Sequence, residues 1–266
     1  LYYWRASPTS VAGGIEAKLY CIEAAIKALY AHYAREGVAV DEVASIPDTP
    51  GFYKTDYTIE KPGRVSILIP SCDHARDLRT CVESIYAKTT WPDFEIIVIE
   101  NNSKEEETFR TYQRLEKQHP GTFRVVRWEG AGFNYSALNN FGEKFASGDY
   151  LLLLNNDTEV ITPRWLEEMV MFAQQERIGC VGAKLLYPDD TIQHAGLGFG
   201  HLSLAAHMHK NFPVANPGYM GRLVYAHDVY GVTGACLMVR REVYEAVGGL
   251  DESFAVAFND VDFCVR

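Results

Sequence analysis

Residues 149–160, DYLLLLNNDTEV, decide how the rest of the chain is read. Four successive leucines stand between Gly148–Asp149 and Asn155–Asn156–Asp157. A run so short and so apolar reads as a strand buried on both faces, which suits the middle of a parallel sheet. It stops at three polar residues, the last a carboxylate. Ligands of open α/β sheets bind beyond the carboxyl ends of the strands. An Asp aimed there from a rigid strand is placed to hold a cation beside a phosphate. Asn and Asp are equally common in plain turns, so the stretch alone leaves both readings open.

Working outward, strands and helices alternate on both sides of it. VSILI (65–69) reads as a buried strand, followed through Pro70–Ser71–Cys72–Asp73 by a helix with Leu78, Cys81, Val82 and Ile85 on one face. EIIVI (95–99) is the second strand and ends at Glu100–Asn101–Asn102–Ser103, before a charged helix over 104–118. FRVVRW (123–128) is the third, with a helix from Tyr135 to Ala146 after it. Beyond the leucine strand, Thr162–Pro163 opens another helix. GCVGAKLLY (179–187) and CLMVR (236–240) are later strands, and Arg241–Val247 is a short helix closed by Gly248–Gly249. Between them, 191–232 is rich in Gly and His and has little periodicity. Such alternation predicts an α/β fold with a mostly parallel sheet flanked by helices.

Ahead of this domain, Ile15, Leu19, Ile22, Ile26, Leu29, Tyr30 and Tyr33 mark a helix to about Arg35, stopped by Gly37. Proline and glycine interruptions over 38–63 read as a linker. The expected division is a helical linker or tail of a preceding domain over 1–63 and the α/β domain over 64–266. LYYWR at the start and DVDFCVR at the end both read as interior positions of a longer chain.

With 35 acidic against 25 basic residues, the net charge of −10 argues against a nucleic-acid surface, which needs a basic stripe. It leaves room for small anionic ligands held by dipoles or a metal. The six cysteines form no CxxC; Cys72, Cys81, Cys180 and Cys236 sit in apolar contexts and read as buried free thiols of a reducing compartment. No run approaches a membrane span and none reads as a signal peptide. A cytoplasmic location follows, with the inner face of the membrane as the alternative.

Four strand ends finish in polar clusters: Ser71–Asp73, Glu100–Ser103, Glu129–Asn134 and Asn155–Asp157. Converging on one sheet edge, they would make a binding crevice. No GxGxxG joins the first strand to its helix and no GxxxxGK[ST] occurs, which argues against a dinucleotide fingerprint and a P-loop.

VSILIPSCDH, EIIVIENNS, GFNYSALNNF, YLLLLNNDTEV and FNDVDFCVR, in this order and spacing, resemble family 2 glycosyltransferases with the GT-A fold. The likeness covers about residues 64–266. It implies that Pro70, Ser71 and Asp73 lie beside the nucleotide of a nucleotide-diphosphate sugar, and that Glu100 contacts base or ribose. Asn134 and Asn139 would flank the donor pocket. Asn155–Asn156–Asp157 matches the Asp-x-Asp motif, so Asp157, with Asn155, would hold a divalent cation (Mg2+ or Mn2+) on the diphosphate, with Asn156 on the donor. Asn259–Asp260 matches the acidic pair whose Asp is the catalytic base, with Asp262 as fallback. The implied activity is inverting transfer of a hexosyl or deoxyhexosyl group to a glycan or lipid-linked glycan acceptor. In large bacterial polysaccharide-building proteins, a connection resembling LYYWR–helix–GFYKTDYTI joins two tandem transferase domains. The sequence departs from the family at Asn155 and Asn259, where acids are usual, and at Glu100, where Asp is; a metal-contacting His usually follows beyond this span.

Each residue also has a plainer reading: Asp73 and Asn134 as helix caps, Glu100 as a solvated strand end, Asp260 as a surface acid near a helix. His194, His201, His207 and His209 fit acceptor-side loops better than a zinc site, since no Cys or acid completes a set nearby. Among the aromatics, Tyr219 and Tyr230 are the better candidates for sugar contact. The rival functions are a nucleotidyltransferase, for which SCDHARD lacks a basic loop, and a non-catalytic carbohydrate-binding or scaffold module, which Asn155 and Asn259 keep open.

Overall fold

The computed structural model describes residues 20–200 and 203–266. They form two compact units, one of Ile59–Pro213 with Asp228–Arg266, the other running to Thr58 and including Val214–His227. In the smaller, helix α1 (Tyr20–Glu36) precedes an antiparallel hairpin of β1 (Val40–Ser45) and β2 (Tyr53–Tyr57). Tyr33 Oη lies 3.0 Å from Thr55 Oγ1, and Tyr30 Oη accepts the Val43 amide at 3.0 Å, so aromatic tips tie helix to hairpin. This hairpin stands inside the stretch 38–63 that reads as a linker. A register shift between Val40 and Glu42 breaks the period-two pattern that would have announced it. Residues 15–19 of the expected first helix lie outside the described residues.

The larger unit is built on β3 (Val65–Ser71), β4 (Phe94–Glu100), β5 (Phe123–Arg127), β6 (Tyr150–Leu154), β7 (Cys180–Gly182) and β12 (Cys236–Arg240). Their spatial order is β5-β4-β3-β6-β12-β7. The first four are parallel, and β12 runs antiparallel to both β6 and β7. The sheet is therefore mixed but mostly parallel, as the alternation predicts. From β3 the chain steps outward to β4 and β5, then returns to the other side of β3 for β6. That reversal is a topological switch point, and it brings all four polar strand ends to one edge.

Side chains alternate between two cores. Val65, Ile67 and Ile69 of β3 and Leu152 and Leu154 of β6 pack against α2 (Ala75–Lys88), α3 (Glu106–Gln118) and α5 (Trp165–Ala173). Leu68, Leu151 and Leu153 face α4 (Tyr135–Glu143), α6 (Arg241–Ala246) and α7 (Asn259–Val265) through Leu138, Tyr244 and Phe263. Every residue of β6 is buried. The leucine run is thus a two-faced central strand, each face stabilised by roughly 1.5–3 kcal/mol per buried side chain.

Three expectations change. The stretch 179–187 gives two strands: β12 offers β7 partners only over Leu237–Val239, and β8 (Leu185–Leu186) pairs instead with β9 (Ile192–His194). The aperiodic region carries one more ladder, β10 (Leu197–Gly200) with β11 (Ser203–His207), strands too short to leave a pattern. All six cysteines are free, but of the four expected to be buried only Cys81 and Cys236 are; Cys180, in β7, is half-buried, and Cys72 is exposed, because it sits in the turn just past β3. Leu152→Ala is expected to lower the unfolding free energy by about 2–5 kcal/mol in urea denaturation. Leu204→Ala, at a side chain 73% exposed, should stay within about 0.5 kcal/mol.

Candidate functional site

The loops after β3 and β4 are locked together. The Asn101 amide donates to Ser71 O at 2.8 Å, and the Asp73 amide donates to Ser103 Oγ at 2.9 Å. Asp73 Oδ1 accepts the amides of Lys104 and Glu105, each at 2.9 Å, at the start of α3. Asp73 therefore does not cap its own helix; it pins the turn that leads into α3, whose N-cap residue is Glu105. Those amides, Glu105 first, hold its carboxyl below the ordinary Asp range. Glu100 is buried at 3% exposure rather than a solvated strand end; its carboxylate accepts the Ser103 amide and lies 3.8 Å from Arg127 Nε. Asp73, His74 and Asn102 all adopt positive φ here. Backbone of that kind clusters at ligand-binding loops.

The loop after β6 is pinned from beneath by α2. Cys81 Sγ lies 3.5 Å from Thr158 Oγ1 and donates to Asn155 O at 3.8 Å, while Ser84 Oγ accepts the Val160 amide at 3.0 Å. Burial pushes the Cys81 thiol up to about 11, so it serves as a neutral structural donor. Asn156 Nδ2 donates to Ser71 Oγ at 3.3 Å, joining this loop to the one after β3. Asp157 at its tip is exposed.

Asp260 lies in the first turn of α7, after Phe258, whose φ of 63° is unusual for a bulky residue. Its Oδ2 accepts the Gly234 amide at 3.0 Å and its Oδ1 the Val261 amide at 2.8 Å. One residue on from Gly234, Ala235 O accepts the Asn155 amide at 3.1 Å. Two adjacent residues thus tie Asp260 to the loop that carries Asp157. Gly234 has no room for a side chain: a Cβ there would sit 2.8 Å from Tyr135 Oη, which donates to Gly234 O at 2.7 Å. Tyr135 is held protonated by burial, with the Asp260 charge adding to the effect. Asp262 is engaged with Arg266 Nε at 2.8 Å.

The sheet edge thus gathers Ser71, Asp73, Glu100, Asn155, Asn156 and Asp157, with Pro70 at the end of β3. Asn134 caps α4 through the Ala137 amide at 3.0 Å and donates to Glu252 O at 2.9 Å. Asn139 is fully buried and bonds Tyr135 O at 2.8 Å, acting inside its helix. Its neighbour Asn140, which the sequence reading passed over, does the long-range work: it bonds Leu250 O, the Leu250 amide and Tyr244 Oη. Ser136 and the Tyr135 amide hold Phe254 and Ala255. Gly234, Arg127 and Asn140 were all missed. Their partners lie 26, 27 and 104–110 residues away in sequence, beyond the reach of any local spacing.

Among the described residues no group of three or more His, Cys, Asp or Glu is placed to hold a metal ion. A hard cation such as Mg2+ is usually held by one or two carboxylates plus substrate phosphates and water, with no all-protein cage. Exposed Asp157, with carboxamides beside it, suits that mode.

Residues 66–248 match the family described as Glycosyl transferase family 2. The uncharacterized protein y4gI of Sinorhizobium fredii is 43% identical over the whole chain, which spans 29% of that relative. The O-antigen biosynthesis protein RfbC of Myxococcus xanthus is 38% identical over 92% of the chain and 19% of its own length. The chain thus spans less than a third of either relative. Among solved structures, the mannosyltransferase PcManGT of Pyrobaculum calidifontis in complex with GDP-Man and Mn2+ superposes with a TM-score of 0.56. It is 16% identical, over 92% of this chain and 60% of that one. S. aureus TarS 1-349 in complex with UDP gives 0.52 at 15% identity, over 76% and 54%. These likenesses show the fold, the GT-A fold expected from the sequence.

Asp73, through its grip on the turn before α3, has a pH signature. Its folded pKa is depressed, so its stabilisation is present above the unfolded value of about 3.9 and is lost as pH falls through the folded value. Asp73→Asn should flatten the fall of the urea midpoint below about pH 4. A variant with the wild-type pH profile would refute this role for Asp73.

Proposed function

The chain belongs to glycosyl transferase family 2, and on that footing we propose inverting transfer of a hexosyl or deoxyhexosyl group from a nucleotide-diphosphate donor to a hydroxyl of a growing glycan. One observation carries this reading. Through Gly234 and Ala235, the carboxylate of Asp260 is tied to the backbone of the Asn155–Asp157 loop, so a base and an anion-side group share one crevice edge.

In this reading Pro70, Ser71, Asp73 and Asn156 border the nucleotide, and buried Glu100 offers its remaining lone pairs to base or ribose. Asn134 and Asn139 flank the donor pocket through the helix they hold. Asp157, with Asn155, would hold a divalent cation, Mg2+ or Mn2+, which when bound offsets charge developing on the departing diphosphate. Asp260 takes the proton of the acceptor hydroxyl as its oxygen bonds to the anomeric carbon; the bond to the diphosphate oxygen breaks on the opposite face, with inversion. Each Asp260 oxygen accepts one amide and keeps a lone pair for that proton. Asp262, paired with Arg266, is the poorer base.

A glycan or lipid-linked glycan acceptor, and a bacterial surface polysaccharide as product, are supported by the relative named for O-antigen biosynthesis. Action in the cytoplasm or at the inner membrane face belongs to the same proposal. No described helix is long and apolar enough to cross a membrane. The net charge of −10 argues against a nucleic-acid partner.

Two measurements on the full-length protein test the reading. Asp260→Asn should lower kcat by about 10²–10⁴-fold, and normal turnover would refute the base. In calorimetry, Mn2+-dependent binding of UDP or GDP should vanish in Asp157→Ala; binding that survives refutes the metal site. A wild-type protein with no metal-dependent nucleotide binding would instead be a non-catalytic module.

A further inference from the structure

Beside this crevice lies a pair of histidines that the transfer step does not use. His194, at the end of β9, is 1% exposed, and its Nδ1 lies 2.8 Å from Nδ1 of His207, at the end of β11. The rings meet edge-on at 84°. His194 Nε2 accepts two amides, from Gly196 at 3.3 Å and Thr233 at 3.2 Å. The protonation pattern follows from those contacts alone. With Nε2 accepting, neutral His194 carries its proton on Nδ1 and donates it to His207 Nδ1. His207 Nδ1 is then bare, and its proton sits on Nε2. Protonating His207 would set two N–H groups against each other at 2.8 Å, so the pair stays neutral. Burial, first in both, holds the two imidazoles low: His194 falls to about 3, with His207 adding to its shift. For His207, Lys210 acts in the same direction and Asp260 against it.

The pair is anchored to the base. Thr233 gives its amide to His194, and the next residue, Gly234, gives its own to Asp260. His207 carries its N–H on Nε2, and its imidazole lies close enough to Asp260 to feel that carboxylate's charge. No described residue takes that Nε2. A neutral N–H suits this place, since it binds a hydroxyl oxygen without competing with Asp260 for the proton. Vicinal sugar hydroxyls lie about one hydrogen-bond length apart, within reach of a paired acceptor and donor.

The geometry points to His207 as an acceptor-binding residue whose Nε2–H holds the sugar hydroxyl next to the one that attacks, with His194 as the positioning residue that locks its tautomer. This rests on Asp260 as the base. The acceptor class it selects is a sugar carrying a free hydroxyl adjacent to the reacting one.

The test uses the full-length protein and a panel of p-nitrophenyl glycosides, and measures the ratio of sugar transfer to donor hydrolysis. Water needs the base but not the neighbouring-hydroxyl contact. His207→Leu should lower the ratio about tenfold, mainly through a raised acceptor KM, whereas His207→Gln, which keeps a side-chain N–H, should recover much of it. His194→Leu should lower the ratio like His207→Leu, and His194→Asn, which still donates to His207 Nδ1, should restore it. A ratio unmoved in His207→Leu, His194→Asn no better than His194→Leu, or a panel in which no glycoside outcompetes water overturns the proposal. Failure of the base shows separately, as Asp260→Asn that keeps its donor hydrolysis.

Discussion

Strand β6 is buried on both faces and paired on both sides, with β3 in parallel register and β12 in antiparallel register. A slip of one residue would carry Leu152 and Leu154 from the α2–α5 face to the α4–α7 face and strand both cores. The register is thereby held, and with it the pairing of Leu154 with Cys236. That pair sets Ala235 against Asn155, and Gly234 within reach of Asp260. The geometry of the crevice is thus inherited from the packing of a strand that has no polar side chain except the Tyr150 hydroxyl.

Loops of this kind need more than strand ends to hold them. Helix α2 grips the Asn155–Val160 loop through Cys81 and Ser84, and the start of α4 grips residues 250–255 through Asn134, Ser136 and Asn140. The second grip delivers α7, and so Asp260. Positive φ at Asp73, His74 and Asn102 costs about 1–3 kcal/mol per strained position, and the bonds of Asp73 to Ser103, Lys104 and Glu105 and of Asn102 to Gly130 O offset it. Rigid elements around strained loops keep a site ready without a bound ligand.

The two departures from the usual acids have different physical content. Asn259 is buried, accepts the Asp260 amide at 2.8 Å and donates to Phe254 O at 3.4 Å. A carboxylate could accept but not donate, so the carboxamide acts as a clasp for the turn that presents Asp260. Asn155 is held through its backbone, by Ala235 on one side and Thr158 and Cys81 on the other. Its side chain leaves Asp157 as the only anionic group of the motif. The buried histidine pair is tied to the same turn, through the Thr233 amide next to the Gly234 amide that Asp260 accepts.

Local pattern and composition sufficed for the alternation, the two-faced leucine strand, the mostly parallel sheet and the four polar strand ends, because burial of one or both faces writes its period directly into the chain. The same local signal placed Asn134 in a capping role, whereas Asp73, read as a cap of the following helix, instead holds the turn before α3. Hairpin β1–β2 and strands β9–β11 escaped it, being bulged or only three to five residues long. Which carboxylate meets which amide was decided only in three dimensions. Gly234 with Asp260, His194 with His207 and Asn140 with Leu250 are contacts between residues 13 to 110 apart. Hydrogen bonds over such separations are set by strand order and register, which no local periodicity encodes.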